Sequence, residues 1–251
     1  MLKALLGLLL IFISSVFLFS RDFEIMKKFE PEIINLRNTK AGTLKMIEYL
    51  KNELISNTNS YDLYWKLSLA AYYYGNFYET NRDKKKEIFS KSRDYALTAV
   101  KINPNGVDGH YWLGVAYGLW SAANGILESF FYADEILDEM NKVIALQPDY
   151  FAGMPWAVRA KVYYYIPSFL YGSKEKAYQD MKTALKYGPD FRINYEYYAE
   201  ILVNDGKYEE ASKIIEKGIN LPLDNRISLE ENYSLVFLKQ YQKIVNEKLK
   251  K

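Results

Sequence analysis

Few side chains in this sequence could do chemistry. His110 is the only histidine and there is no cysteine, which excludes disulfides, thiolate nucleophiles and zinc fingers. A metal site would therefore depend on oxygen donors. The segment ADEILDEM sets Asp134 against Asp138 and Glu135 against Glu139, one helical turn apart. Such pairs can hold a hard cation, but carboxylates near the start of a helix are also favoured by its dipole, and that explanation is preferred. Ser173 and Lys176 have the Ser-x-x-Lys spacing of some serine nucleophiles. Ser173 follows Gly172 and opens a helical pattern, so an N-cap is the simpler role, and the companion motifs of those enzymes are absent. There is no glycine-rich phosphate loop and no nucleophile elbow. No catalytic residue, metal site or cofactor is assigned, and the chain reads as non-enzymatic.

The elements that must position these residues are helices. GTLKMIEYLKNEL places Leu44, Ile47, Leu50 and Leu54 at three- and four-residue steps. The last segment opens with Ser228 and Glu231 at capping-box spacing and continues through Tyr233, Val236, Phe237, Ile244 and Leu249. No sustained strand alternation occurs, and the prolines fall between periodic segments apart from Pro155 in a first turn and Pro167 at a stop. The predicted class is all-α.

Charge and ends narrow the setting. Thirty-three basic and 31 acidic residues give a net charge of +2, so nothing in the balance points to nucleic acid. An early Lys3 followed by an uncharged run from Ala4 to Ser20 has the form of a signal peptide or a retained membrane anchor. Either one places the body outside the cytoplasm, in the periplasm or cell envelope, with membrane contact only through residues 1–20.

Repetition organises the rest. In residues 194–222, Tyr195, Tyr198, Ala199 and Leu202 are followed by Gly206 and Ala211. This is the tetratricopeptide pattern: a small residue lets two antiparallel helices approach, and large residues fill the notches around it. The same register appears at Tyr64, Leu67, Ser68 and Ala71, at His110, Leu113, Gly114 and Tyr117, and at Trp156, Arg159, Ala160 and Tyr163. Copies end at Pro104, Pro148, Pro189 and Pro222, spaced by 44, 41 and 33 residues, with the surplus lying between the helices of the early copies. The expected architecture is an α-solenoid of about four irregular helix pairs. Residues 60–104, 105–148, 149–189 and 190–222 form the repeats, with caps at 21–59 and 223–251. His110, at a large position of its repeat, is expected to be a packing residue.

The run GHYWLGVAYGLWSAANGILESFF, residues 109–131, is about long enough and apolar enough to suggest a membrane span. Its register instead makes it the first helix of the second repeat and part of the insertion that follows. Together with YYIPSFLYGSKEKAYQDMKTALKYGPDF, this run resembles a bacterial family of exported tetratricopeptide proteins. That family includes the T components of tripartite (TRAP-type) transporters. The resemblance spans about residues 60–222 and implies an extracytoplasmic, non-catalytic protein that binds a partner, such as a solute-binding subunit. Many relatives carry a lipid-anchor cysteine, and this chain has none.

In such a superhelix the concave groove is lined by first-helix residues. Here these are Trp65, Leu69, Tyr72 and Tyr73; Tyr111, Trp112, Val115 and Leu119; Lys161, Tyr164 and Tyr165; and Tyr197 with Glu200. Chaperone-binding relatives clamp a peptide carboxylate with basic and Asn side chains, but Trp65 and Tyr111, Leu69 and Val115 stand at those positions. An aromatic groove of this kind suits an apolar ligand or a hydrophobic segment of a protein partner, a second copy of the chain included. The alternatives at this point are an open groove and one filled by the insertions.

Overall fold

The computed structural model describes residue 28 and residues 31–224 and 227–250. The leader expected over residues 1–20 lies outside the described residues. Four antiparallel helix pairs follow one another: α3 (Tyr61–Tyr73) with α4 (Arg82–Ile102), α5 (Val107–Asn124) with α7 (Ala133–Leu146), α8 (Tyr150–Tyr165) with α9 (Lys174–Tyr187), and α10 (Arg192–Asn204) with α11 (Tyr208–Asn220). Short α1 (Pro31–Asn35) and α2 (Lys40–Ser56) precede them, α6 (Ile126–Phe131) sits in the second insertion, and α12 (Ser228–Leu249) ends the fold. This is the all-α tetratricopeptide-like superhelix that the repeats predict.

Local signals set the helix boundaries. Thr39, Ser60, Asn81 and Ser173 each accept a hydrogen bond from a first-turn backbone N–H, so Ser173 is an N-cap. α4 and α7 stop just before Pro104 and Pro148, because a residue preceding proline disfavours helical backbone. The small residues stand where helices cross. Ser68 and Ser92 meet at 2.9 Å between α3 and α4, and Ser92 also donates to the Ser68 carbonyl. A Cβ on Gly114 would lie 2.4 Å from the Met140 methyl, so α5 and α7 need glycine at this contact. The run 109–131 divides between α5 and α6, and no described helix is long and apolar enough to cross a membrane.

α8 begins irregularly. Phe151, Ala152 and Gly153 all have positive φ, and the regular helix starts after them with Pro155 in its first turn. Asn194 Nδ2 holds this left-handed turn by donating to the Ala152 carbonyl at 2.8 Å. Gly153 has φ of +80°, and an added Cβ would stand 2.8 Å from the Ala184 carbonyl. Gly153→Ala is expected to destabilise the protein by about 2 kcal/mol or more, read from urea denaturation.

Both terminal caps are rotated from the expected faces. In α2 the buried residues are Gly42, Thr43, Met46 and Leu50, while Leu44 is 45% exposed. In α12 the expected apolar stripe is largely outside: Tyr233, Val236, Ile244 and Leu249 are 40% or more exposed. The buried face runs through Glu230, Glu231, Ser234, Leu238 and Val245. The expected capping box is also absent, since Ser228 lies inside the helix and Glu231 is bound to Arg192. Two buried arginines turn the helix this way. Arg37 Nε donates to Glu230 at 3.1 Å, and Arg192 pairs with Glu231 while donating to the carbonyls of Gly218 and Leu221. A charge shut away from water requires a partner, and that requirement outweighs the apolar pattern of the stripe.

Candidate functional site

The concave side encloses a cavity of about 620 Å³, within the range of small-molecule sites. First helices form most of its wall. Tyr72 and Tyr73 come from α3, Tyr111, Trp112, Val115 and Leu119 from α5, Lys161 and Tyr165 from α8, and Tyr197 and Glu200 from α10. All ten were expected at the groove. Trp65, Leu69 and Tyr164 were expected there too and do not line the cavity. Trp65 and Leu69 are fully buried. Lys28 lies over the Trp65 ring and reaches Asp108 at 2.7 Å, and Arg37 lies over Tyr73, so Lys28 and Arg37 cover this end of the concave face. Tyr164, one residue off the Tyr165 face, lies 5.7 Å from the Lys174 ammonium.

The opposite wall is mainly α12, and the insertions add Asn76, Phe77, Ser121, Ala122 and Ser129. From α12 come Glu230, Tyr233, Ser234, Phe237 and Tyr241. Tyr233 meets Phe77 edge-on at 5.1 Å, joining α12 to the turn that follows α3. That turn, Tyr74–Tyr78, is a π-helical widening of the helix end, and it brings Phe77 against both Tyr72 and Tyr73. The groove is thus roofed, and the roof is pinned to the N-terminal cap by Arg37–Glu230, to the first repeat by Tyr73, which donates to Glu230, and to the last repeat by Arg192–Glu231.

Sequence reasoning missed Glu196, although its register gave the signal. It follows Tyr195 as Trp65 follows Tyr64 and Tyr111 follows His110, at the same inward position. Glu196 is 7% exposed, and burial pushes its carboxyl up to about 7. Ser234 and Lys161 oppose that rise, while Glu200 adds to it. Phe151 also reaches the wall, turned inward by the left-handed segment, which no local pattern announces. Lys161 is committed elsewhere: its ammonium sits 3.0 Å from Glu200 and 4.3 Å above the Tyr197 ring. Tyr165 donates to the same Glu200 carboxylate.

His110 stands apart from the cavity. Its Nδ1 is 2.5 Å from Glu139 and its Nε2 is 2.7 Å from the Pro104 carbonyl, so only the imidazolium can donate to both. The Glu139 hydrogen bond raises the His110 pKa against the effect of burial. Burial disfavours the Glu139 carboxylate, but hydrogen bonds from His110 and Lys142 outweigh it and lower its pKa. The His110 share of stability is present below its ordinary value of 6.5 and is lost as pH rises through its raised folded value. The Glu139 share is present above 4.5 and is lost as pH falls through its lowered value. His110→Gln should therefore lower the melting temperature most between these two ordinary values, with the gap to wild type narrowing in alkali. Of the other acids in this segment, Asp134, Glu135 and Asp138 are exposed. Among the described residues no group of three His, Cys, Asp or Glu side chains is placed to hold a metal.

Solved structures of tetratricopeptide proteins are similar to this chain, and one exceeds a TM-score of 0.5. A tetratricopeptide protein of Thermus thermophilus, TTC0263, superimposes with a TM-score of 0.57 at 18% identity, covering 78% of this chain and 92% of its own. MamA gives 0.48 at 17%, covering 80% and 94%. YrrB, described as a tetratricopeptide protein with an unusual peptide-binding site, gives 0.45 at 13%, covering 84% and 95%. No curated protein sequence matches. A sequence family does match, over residues 34–242, a span that takes in all four repeats and most of the roof. The chain belongs to the regulator of microtubule dynamics protein 1–3 family.

Proposed function

We propose that this protein is a non-catalytic binding protein that holds a small, largely apolar ligand between its repeats and its C-terminal helix and presents it to a protein partner. The observation that carries this reading is the roofed cavity of about 620 Å³, walled by aromatic rings from every first helix. Aromatic walls with a few polar groups are the usual composition of a small-molecule site. Placement outside the cytoplasm and service to a TRAP-type transporter, as its T component, belong to the same proposal. Their support is the apolar run of residues 4–20 and the GHYWLG block that begins at Gly109.

A second reading, an envelope scaffold without a small ligand, draws on a separate surface. Ile126, Leu127 and Phe131 of α6 are 67–75% exposed, a cluster suited to a protein contact. Native mass spectrometry of gently purified protein separates the two. A co-purified small molecule favours the ligand carrier, whereas a bound polypeptide with an empty cavity favours the scaffold. The family's description also names microtubules, so tubulin belongs among the polypeptides tested.

A further inference from the structure

The charges around the cavity do not balance. Glu230 is matched by Arg37, and Glu200 by Lys161 at 3.0 Å. Glu196 has no cation within ion-pair distance among the described residues, because Lys161, the cation that acts on it, is spent on Glu200 and on the Tyr197 ring. A carboxyl that is only 7% exposed, in an otherwise paired site, is an acid without a counter-ion, and a cation beside it would favour its charged form. The Ser234 hydroxyl, which acts on Glu196, is buried without a hydrogen-bond partner among the described residues. The surrounding wall is made of ring faces, which attract cations and repel anions. Trp112 Nε1, on another lining residue, also lacks a partner.

We propose that the cavity binds an organic monocation: an amine on an apolar body, its ammonium against Glu196 and its body among Tyr72, Trp112, Tyr197 and Phe237. The inference rests on the reading of the cavity as a ligand site and names the ligand's chemical class. An ammonium supplies the missing counter-charge and three donors, enough for the Glu196 carboxylate with Ser234 as a neighbour. A carboxylate ligand would meet Glu196, Glu200 and Glu230 with both local cations already paired. A neutral ligand of the same shape would supply no counter-charge to Glu196.

Three probes of one length, octylamine, octanol and octanoate, test this by displacing the neutral dye N-phenyl-1-naphthylamine from the full chain. Octylamine is expected to bind roughly tenfold to a hundredfold more tightly than octanol, and octanoate to be weakest. Glu196→Gln, nearly isosteric, should bring the octylamine-to-octanol ratio, measured within the variant, down to about one. The preference should also grow in the wild type as pH rises through about 7, the region to which burial moves Glu196. The groups that face Glu196 are Glu200 and Tyr197 on its own helix, Lys161 from α8, Tyr72 from α3, and Tyr233 and Tyr241 from α12. Burial raises these four tyrosines, so they stay neutral in this range. Dye binding with equal affinity for the three competitors, or with octanoate best, overturns the proposal and leaves the ligand-site reading standing. Failure of the dye and all three probes to bind overturns both. Should Glu196→Gln fail to fold, the wild-type ranking and its pH dependence decide alone.

Discussion

Replacing Arg192 by methionine is expected to lower the stability of the protein by about 3–5 kcal/mol, measured by urea denaturation. Arg192 is fully buried and holds three groups at once: Glu231 of α12 and the carbonyls of Gly218 and Leu221 at the end of α11. Its removal leaves a carboxylate that is 2% exposed with no counter-charge and two carbonyls short of a donor. Burial already raises the Glu231 pKa against the pull of Arg192. In the variant Glu231 should take up a proton, so the loss should deepen as pH rises above the ordinary carboxylate range. The double variant Arg192→Met, Glu231→Leu should recover much of the loss, because an apolar pair has no charge to strand. A loss under about 1 kcal/mol in the single variant would mean that the Arg192–Glu231 pair contributes little to holding α12.

Trp112→Ala is expected to cost a comparable amount, about 3–5 kcal/mol, while Tyr164→Ala stays within about 1 kcal/mol. Trp112 is 3% exposed and packs against Tyr72 at 5.4 Å and Tyr111 at 5.2 Å, so its loss opens a hole between the first two repeats. Tyr164 is half-buried, beside Lys174 and outside the cavity. The same register argument placed both residues in the groove, and the structure separates them. Trp112 serves as core and as cavity wall together, so Trp112→Phe, which keeps most of the packing, is the variant for binding studies. Thermal melts of the three proteins check the ranking; equal losses for Trp112→Ala and Tyr164→Ala would contradict it.

The repeats were legible because their signal is local. The four marks at Tyr64, His110, Trp156 and Tyr195, each with a small residue four places on, record contacts between helices that are neighbours in sequence. Ten groove residues followed from the same register, and Glu196 was available to it as well, whereas Val158, Val162 and Ile193 of the same first helices were not named. The roof was not legible. Its buried face carries Glu230 and Glu231, which an apolar-stripe argument assigns to solvent, and only the distant Arg37 and Arg192 explain their burial. The covering of Trp65 by Lys28 has the same cause: contacts far apart in sequence leave no periodic trace.

Stacked repeats usually couple only to their neighbours, so an end can fray while the middle stays folded. Here Arg37 and Glu230, 193 positions apart, join the two ends directly, so the spiral is tied off as a loop. Fraying the first repeat breaks a contact of the last helix, and fraying the last helix uncovers the first repeat. Hydrogen exchange should therefore protect α3 and α12 to similar depths instead of grading from the middle outward. The tie can form only after everything between its partners is in place, which makes it a late and slow event in folding.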